Sequence, residues 1–453
     1  MQQLSSARAS MSHGVSVLAL LLLSASATAQ VPGEPYEVRA AVSSCLKLRP
    51  QPDADTDPVA CLAAGTRVTA TDAVPFWRMV TAPDGTTGWV SKRYIGPVPA
   101  ATLLSAESAR AAIPSDAPPP PEAAVESHWL EIHVVDVGQG DGIWITTPDD
   151  GIAGNGRYEG KNIVIDGGPD QNDARNEMLR YLLAHAHDGA MIDALIVTHP
   201  HDDHYPGAIG VLGHFEVREY YDPGFPKTGT KYNDFLATVR RERAEGRRIG
   251  INRGPLGRLG TLNWGRELKA EFLHSYPGQP DDLGSGSTLE NNASLVLRLE
   301  YGEHVFLFMG DAEGKDRNDG PEDAHYVERM LLDNSAPGRL KATVLKLAHH
   351  GSETSSTLPF IEAVDPDVII ASSGRRAYSG TYLPDASTLA RYCAHKSSTR
   401  IYRTDHGDER QRRTTTDDAD GDHIVIRTDG RTLQITAYDN GQALPSSAAR
   451  CSP

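Results

Sequence analysis

Short apolar runs alternate with amphipathic stretches along the chain from Trp129 onward. Continuous runs of this kind, bounded by turn residues, predict strands that are buried on both faces. They occur at 132–137, 163–165, 194–197, 305–308, 344–347 and 368–371. Between two of these runs, the spacing of apolar residues over 177–185 predicts a helix. Residues 128–453 are therefore expected to form a layered α/β domain.

The segment 221–290 interrupts this alternation with Gly, Pro and charged residues. It carries a basic helical stretch near 239–248, and we expect an insertion that borders or covers a cleft. Its arginines could form a phosphate-binding strip, although a solvated helix face is the simpler interpretation. These arginines are Arg240, Arg241, Arg243, Arg247 and Arg248.

Residues 34–98 have a different, turn-rich pattern. Alternating runs at 66–70, 77–80 and 88–90 predict strands, and Pro-Asp-Gly at 83–85 predicts a hairpin turn. With its Leu-Arg-Pro, Gly-Thr-Arg-Val and Gly-Trp-Val-Ser steps, the segment resembles bacterial SH3-like domains. The resemblance implies a small all-β barrel that contacts the cell wall or a partner protein. A passive spacer domain is the alternative.

The remaining N-terminal segments are expected to be a signal and a linker. An apolar run at 15–23, too short to cross a bilayer, leads to an Ala-Thr-Ala cleavage site before Gln30. We therefore predict a signal peptide over 1–29 and a secreted or periplasmic protein without a transmembrane segment in the mature chain; a permanent anchor is the alternative. Residues 99–127 are rich in Ala, Ser and Pro and predict a semi-rigid linker.

Export would allow disulfides to form. The chain has four cysteines, Cys45, Cys61, Cys393 and Cys451, which allow three pairings. Proximity in sequence favours Cys45–Cys61, and Cys393–Cys451 would then tie the C-terminal tail to the body. No pair has C-x-x-C spacing, so a cysteine zinc site is not expected.

The composition bounds the class of partner. A hydrophobic fraction of 39% and a charged fraction of 23% are typical of globular protein. The formal net charge of −16 argues against loose adhesion to DNA or anionic lipid through the bulk surface. A local basic groove or a bound metal could still attract a phosphate.

Several predicted strands end at a residue that can bind a metal. Asp166 follows 163–165, His199 follows 194–197, Asp311 follows 305–308, and a His-His pair follows 344–347. Loops at one end of the strands in layered α/β folds gather into a shared crevice. The pattern therefore predicts one convergent site.

The His-Pro-His-Asp-Asp-His sequence at 199–204 has a logic of its own. In an extended turn alternate side chains point the same way, so His199 and His201 can hold one ion. Asp203 and His204 can then face a second ion, and Asp311 is suited to bridge the two. Imidazole and carboxylate ligands suit zinc or manganese. Two such ions about 3.5–4 Å apart can share a hydroxide and lower its pKa.

These motifs resemble the metallo-β-lactamase superfamily, and within it the branch formed by the C-terminal domain of the DNA-uptake competence protein ComEC and its free-standing relatives. The resemblance implies a four-layer αββα metallo-β-lactamase fold. It is carried in the family's order by 135–141 (VDVGQGD), 166–168 (DGG), 198–204 (THPHDDH), 291–297 (NNASLVL), 310–312 (GDA) and 349–352 (HHGS).

The resemblance also implies roles for individual residues. His199 and His201 would hold the first ion, Asp203, His204 and His350 the second, and Asp311 would bridge. Asp203 and His349 would take part in catalysis, with His349 beside the ligands or the substrate phosphate; the division of roles between His349 and His350 stays open. Further residues are expected beside the ligands or the substrate, namely Asp141, Asp166, Asn292 and Ser352.

Two departures from the superfamily bear on the substrate. Many members have a third histidine that binds the first ion. At the corresponding position this chain has Asn291-Asn292-Ala293-Ser294, which matches the ComEC-like branch. That branch usually has Gly-His-Pro where this chain has Gly380-Thr381-Tyr382. The first site is therefore expected to be poor in ligands, and the substrate to differ.

Three functions are consistent with these features. The first is a phosphoesterase acting on nucleic acid or a smaller phosphodiester with two divalent ions, zinc or manganese. The second is an amide or lactam hydrolase that uses the same hydroxide on a carbonyl. The third is a non-catalytic protein that binds the cell wall through the SH3-like domain.

Overall fold

The structure is a computed structural model that describes most of the chain outside its N-terminal segment and the region 98–127. The described residues are 34–38, 45–51, 57–63, 65–74, 77–91, 95–97, 128–150, 157–187, 190–244, 249–256, 261–278, 282–374, 376–378, 380–406, 419–445 and 451. The predicted signal peptide at 1–29 and linker at 99–127 lie outside them.

The N-terminal part is all-β. Its strands are β1 Glu34–Val38, β2 Leu46–Leu48, β3 Ala60–Leu62, β4 Arg67–Val74, β5 Trp77–Thr81, β6 Thr87–Ser91 and β7 Ile95–Pro97. Five of them form an antiparallel sheet in the order β6-β5-β4-β1-β7, and β2 pairs with β3. The hairpin predicted at 83–85 joins β5 to β6. Leu48, Val80 and Val90 are fully buried and centre a small core of their own.

The larger part is built from two sheets. Its strands are β8 Leu130–Val134, β9 Ile143–Thr146, β10 Asn162–Ile165, β11 Ile192–Ile196, β12 Val217–Asp222, β13 Gly250–Arg253, β14 Leu268–His274, β15 Val296–Tyr301, β16 His304–Phe308, β17 Val344–Lys346, β18 Val368–Ala371, β19 Ala377–Tyr378, β20 Thr381–Tyr382, β21 Arg400–Arg403, β22 Ile424–Thr428, β23 Leu433–Asp439 and β24 Gln442–Ala443. Nine strands form one sheet, β13-β12-β11-β10-β9-β8-β22-β23-β24, and six form the other, β14-β15-β16-β17-β18-β21.

Helices cover the outer face of each sheet. They are α1 Glu177–His185, α2 Ala208–His214, α3 Thr230–Ala244, α4 Gly286–Asn291, α5 Tyr326–Asn334, α6 Leu358–Val364 and α7 Ala386–His395. Residues of α1, α2 and α3 pack on the nine-stranded sheet, and residues of α5, α6 and α7 pack on the six-stranded sheet. Within the described residues no helix has the length and hydropathy of a membrane span.

Alternation along the strands produces the four layers. Ile163 and Ile165 of β10 point into the core between the sheets, while Val164 packs against the helices. The same alternation in β16 sends Phe306 inward and Leu307 outward. Since β10 is buried on both faces, it appears in the sequence as a continuous apolar run. The αββα metallo-β-lactamase fold expected from the motifs is confirmed.

Helix α3 differs from the expectation in its start. The basic stretch placed the helix near 239–248, but it begins at Thr230, and 245–248 lie outside the described residues. Its buried face is formed by Tyr232, Phe235, Leu236 and Val239, which are spaced as positions i, i+3, i+4 and i+7. This apolar stripe defines the helix, whereas the prediction followed the arginines.

Both expected cysteine pairs are joined in the structure. Cys45 is bonded to Cys61 in β3, with Cα atoms 5.4 Å apart. Cys393, in α7, is bonded to Cys451 near the end of the chain, with Cα atoms 5.6 Å apart. The second bond anchors the tail to the helix layer on the six-stranded sheet.

Candidate metal centre

The predicted site residues lie at the carboxyl ends of two pairs of parallel strands. Strand β10 runs parallel to β11 in one sheet, and β16 runs parallel to β17 in the other. Asp166 follows β10, His199 follows β11, Asp311 follows β16, and His350 lies in a tight turn after β17. All four side chains are buried at this shared edge.

One group of candidate ligands surrounds Asp311 from the side of His204 and His350. The Nε2 atoms of both histidines lie 3.3 Å from Asp311 Oδ2. The carboxylate of Asp203 lies 3.6 Å from His350 Nε2 and 3.8 Å from His204 Nε2. These four side chains therefore direct two nitrogens and two carboxylates at one point.

A second group shares the same aspartate. His199 Nε2 lies 3.6 Å from Asp311 Oδ2, and one ligand atom each of His199, His201 and Asp311 fall within 4.8 Å of one another. Asp311 belongs to both groups, as expected of a bridging carboxylate. Within the described part of the chain, no residue supplies a third histidine to this position.

The histidine rings are oriented by bonds on the nitrogen that faces away from Asp311. His204 Nδ1 lies 2.8 Å from Asp166 Oδ2, and Asp166 also accepts hydrogen bonds from Thr198 N and Oγ1 at 2.8 and 2.6 Å. His350 Nδ1 donates to the carbonyl oxygen of Ser372 at 2.8 Å. Such partners fix the tautomer that leaves Nε2 available to a metal.

Asp141 lies behind these rings. It is 3.4 Å from His350 Nδ1 and 4.0 Å from His204 Nδ1, on the side opposite Asp311. It also forms a buried ion pair with Lys346 of β17. Although its carboxylate is close enough to be grouped with the ligands, its charge is already compensated and it faces the wrong nitrogens. These contacts favour Asp203 over Asp141 as a ligand and place Asp141 behind the His350 ring.

Two buried atoms at the centre test whether a cation fits. Among the described residues, His199 Nε2 and Asp311 Oδ1 are buried side-chain atoms without a hydrogen-bond partner. Unsatisfied buried polar atoms are costly and uncommon in native proteins. A divalent cation between them would satisfy both, and a nitrogen and carboxylate donor set suits zinc or manganese.

Burial and neighbouring charges shift the pKa values of the histidines and of Asp311 at the centre. Burial lowers the pKa of His199 well below its usual value. Burial also opposes ionisation of His204 and His350, but the neighbouring carboxylates raise the pKa of both well above the usual range. The imidazoles in turn hold the pKa of Asp311 well below that of an ordinary carboxyl group. A lowered pKa favours the anionic form of Asp311, which is the form that binds a metal.

Three of these residues have left-handed backbone conformations, with φ of 57° at Asp166, 49° at His349 and 54° at His350. Non-glycine residues adopt such angles at a cost of roughly 1–3 kcal/mol each, and they cluster at functional sites. The conformation turns the His349-His350 pair so that His350 faces the ligands and His349 faces solvent.

A cavity of about 570 Å³ opens directly onto the ligands. Four cationic side chains line it, although the chain as a whole is acidic: Lys227, Lys231, Arg317 and Arg376. Of the predicted arginine strip, Arg240 and Arg241 lie on the exposed face of α3 and do not line the cavity. The side chain of Arg243 and residues 247 and 248 lie outside the described part of the chain. The four cationic residues lie in loops or in the first turn of a helix. No periodic pattern in the sequence identifies residues at such positions.

His349 also lines the cavity, and Glu313 holds it there. His349 Nδ1 lies 3.1 Å from Glu313 Oε1 and 3.0 Å from Thr354 Oγ1. Glu313, a residue that the motifs did not identify, accepts a hydrogen bond from Asn291 Nδ2 at 2.9 Å. Glu313 and Thr354 therefore hold the His349 ring at the cavity wall through Nδ1.

The remaining predicted residues differ in position. Ser352 lines the cavity and accepts a hydrogen bond from Arg317 at 3.2 Å. Asn292 is buried outside the cavity lining, where its Oδ1 accepts from Glu313 N at 2.8 Å and its Nδ2 donates to Leu283 O. Thr381, of the Gly380-Thr381-Tyr382 step, also lines the cavity.

Comparison with known families agrees with this geometry. Residues 157–374 match the family model described as the metallo-beta-lactamase superfamily. The chain is 26% identical over 271 residues to Recombination protein 2 of Haemophilus influenzae and 26% identical over 286 residues to ComE operon protein 3 of Bacillus subtilis. It is 36% identical over 117 residues to Competence protein ComA of Neisseria gonorrhoeae.

These matches cover only part of the relatives. The first two cover 59% and 61% of this chain but 27% and 32% of the relatives, so the chain spans about a third of their length or less. The third covers 26% of this chain and 14% of the relative. Among solved structures, zinc-bound PqqB from Methylobacterium extorquens aligns with a TM-score of 0.33 and 12% identity, over 60% of this chain and 97% of that one.

Proposed function

Because residues 157–374 form a domain of the metallo-β-lactamase superfamily, we propose that the protein is an exported, metal-dependent phosphoesterase that hydrolyses phosphodiesters. The substrate would be nucleic acid or a smaller phosphodiester. The observation that carries the proposal is the cationic lining of the cavity above a His/Asp cluster in a protein of net charge −16.

The cluster would hold two divalent ions, zinc or manganese. His199, His201 and Asp311 would hold the first, and Asp203, His204 and His350 would share Asp311 around the second. When bound, such ions lower the pKa of water and compensate the charge that develops on a phosphoryl group. Asp166 and the Ser372 carbonyl keep the imidazoles aimed at these positions.

The cationic side chains of the cavity would attract the phosphate, with Lys227, Lys231 and Arg317 each also paired with a carboxylate. Lys227 and Lys231 come from the segment 221–290, and Arg317 and Arg376 come from loops of the domain. Fixed cations that line a cavity attract an anionic ester and stabilise charge on its non-bridging oxygens. His349, held by Glu313 through Nδ1, would contact a phosphoryl or leaving-group oxygen with Nε2.

The relatives support this class of substrate without defining it. They are named as recombination and competence proteins, and the chain matches about a third of their length or less. The Gly380-Thr381-Tyr382 step is the clearest local difference from the branch, and Thr381 lines the cavity. We therefore infer a phosphodiester whose leaving group differs from that of the relatives.

Hydrolysis assays test the proposal directly. Purified protein loaded with Zn²⁺ or Mn²⁺ would be incubated with bis-p-nitrophenyl phosphate, DNA, RNA and, separately, nitrocefin. We expect turnover of at least one phosphodiester and loss of that turnover in His199→Ala and Asp203→Asn. Turnover of nitrocefin alone would favour the lactam hydrolase. A protein that retains no metal after dialysis and still binds peptidoglycan would favour the wall-binding protein.

Export and wall contact are proposed on other grounds. The two joined cysteine pairs support an oxidising compartment, as does the apolar run at 15–23. The SH3-like segment would then contact the cell wall. Intact-mass analysis of the expressed protein should give a chain that begins at Gln30, and a mass that retains residues 1–29 would contradict cleavage.

A further inference from the structure

We propose that Glu290 and Lys227 are positioning residues for His201, and that they compensate for the missing third histidine at the first metal position. Both belong to the segment 221–290, which the sequence pattern identified only as an insertion beside a cleft. The inference rests on the metal-binding part of the proposed function and is independent of the substrate.

The contact between Glu290 and His201 determines which ring nitrogen faces the ion. His201 Nε2 lies 2.8 Å from Glu290 Oε2, and the hydroxyl of Ser287 approaches the same nitrogen at 3.5 Å. Because Nε2 is engaged with the carboxylate, it carries the proton and donates it. Nδ1 is then the unprotonated nitrogen that can bind a cation beside His199 and Asp311.

Lys227 ties this pair to the backbone of the metal motif. Its Nζ donates to Glu290 Oε2 at 3.0 Å and to the carbonyl oxygen of Pro200 at 2.8 Å. Pro200 lies between His199 and His201, so a closed ring of contacts runs from the backbone through Lys227 and Glu290 to the His201 ring. Both the position and the rotation of the imidazole are thereby fixed.

The same contacts argue against Glu290 as a direct ligand. Its Oε2 already accepts from two donors, an imidazole and an ammonium group. A carboxylate whose charge is compensated by a lysine at 3.0 Å is a poor partner for a cation. Glu290 therefore acts through His201.

The arrangement repeats the one at the second metal position. Asp166 lies 2.8 Å from His204 Nδ1, the distance that Glu290 keeps from His201 Nε2. Loss of such carboxylate–histidine contacts typically costs about 10–100-fold in metal affinity. Since the described residues bring only His199, His201 and Asp311 to the first position, the orientation of His201 should matter more here than where a third histidine is present.

Metal titration of the full chain tests the inference. Protein stripped with a chelator would be titrated with Mn²⁺ by calorimetry, with bound Mn²⁺ and Zn²⁺ counted by mass spectrometry. For Glu290→Gln and Lys227→Met we expect one of the two ions to bind at least about tenfold more weakly, and the other as in the wild type. Thermal unfolding of the metal-free variants should match the wild type.

A second Lys–Glu pair provides matched controls. Lys269 of β14 and Glu300 of β15 form an ion pair at 2.6 Å outside the site. Glu300→Gln and Lys269→Met should leave both affinities unchanged. Wild-type affinity for both ions in Glu290→Gln and Lys227→Met, or equal weakening of both ions, would overturn the inference. A wild type that binds two ions but cleaves no phosphodiester would refute the phosphoesterase proposal and leave this inference intact.

Discussion

At the scale of single residues, the centre is organised by what lies behind each histidine. His204, His350 and His201 each bond to a carboxylate or carbonyl through the nitrogen directed away from the ion position. The ligands themselves are recognisable in the sequence because they follow buried strands. Of their partners, Asp166 was expected from the Asp-Gly-Gly motif. Ser372 was not, because it stands 22 residues along the chain from His350 and only the fold brings the two together.

Glu328 supports a prediction about pH and stability. Its carboxyl group is fully buried and accepts hydrogen bonds from Thr357 N at 2.9 Å and Thr357 Oγ1 at 2.6 Å. Burial raises its pKa from 4.5 to about 7. A carboxyl group whose pKa is raised on folding stabilises the native state below its unfolded pKa, and this contribution is lost as the pH rises through the folded pKa.

The free energy of unfolding of metal-free wild type should therefore fall between about pH 4.5 and 7 by up to about 3 kcal/mol from this residue. In Glu328→Gln this component should be absent, so the gap between wild type and variant should narrow as pH rises. Urea denaturation at both ends of the window measures it. A gap independent of pH would show that Glu328 is ionised throughout.

The residues missed in the sequence share a physical reason. Lys227, Arg317 and Arg376 lie in loops, where a charged residue is the common case and carries no pattern. Glu313 is more instructive, because it is buried two residues after Asp311 and holds His349. An acidic residue only two positions after a predicted ligand could have indicated a further site residue, but the motifs did not include it.

At the scale of elements, strands β10, β17 and β18 were predictable because both of their faces are buried. Helix α1 has the bounds that its apolar spacing indicated, Glu177–His185. Helix α3 was placed too late because its charged residues were given more weight than its apolar stripe. Strand β17 has an exception to its apolar pattern, Lys346, which is fully buried and pairs with Asp141.

This pair joins the two sheets, since Asp141 lies in the loop between β8 and β9 while Lys346 belongs to β17. Lys346→Met should destabilise the metal-free protein by about 3–5 kcal/mol, because it leaves the buried Asp141 carboxylate without its lysine. Adding Asp141→Asn should restore much of this loss. Urea unfolding of the two single variants and the double variant measures the coupling, and simple additivity would contradict it.

At the scale of the whole molecule, charge is distributed unevenly. The chain carries a net charge of −16, yet Lys227, Lys231, Arg317 and Arg376 face the cavity. Neither the overall charge nor the basic helix revealed this, because the sequence does not show which side chains converge. An anionic substrate should therefore meet local attraction within a repulsive overall field.

Ionic strength should accordingly affect binding of the substrate more than turnover. Raising it from about 0.01 to 0.15 M shortens the Debye length from about 30 to 8 Å. Because salt screens the attraction of the cavity cations, we expect the KM for an anionic phosphodiester to rise several-fold while kcat stays nearly constant. In Lys231→Met the rise in KM with salt should be smaller. Initial rates across a salt series measure both constants, and identical salt profiles for the two proteins would exclude a role for Lys231.

The bond between Cys393 and Cys451 has a consequence for where the molecule persists. It closes a loop of 58 residues onto α7, and a link of this kind typically adds about 2–4 kcal/mol to stability. In a reducing compartment this disulfide is reduced, and the free energy of unfolding is lower by that amount. A larger fraction of the chains is then unfolded and open to degradation. Quality-control proteases would thus remove copies that remain in such a compartment, and the oxidation state of one cysteine pair would limit where the protein accumulates.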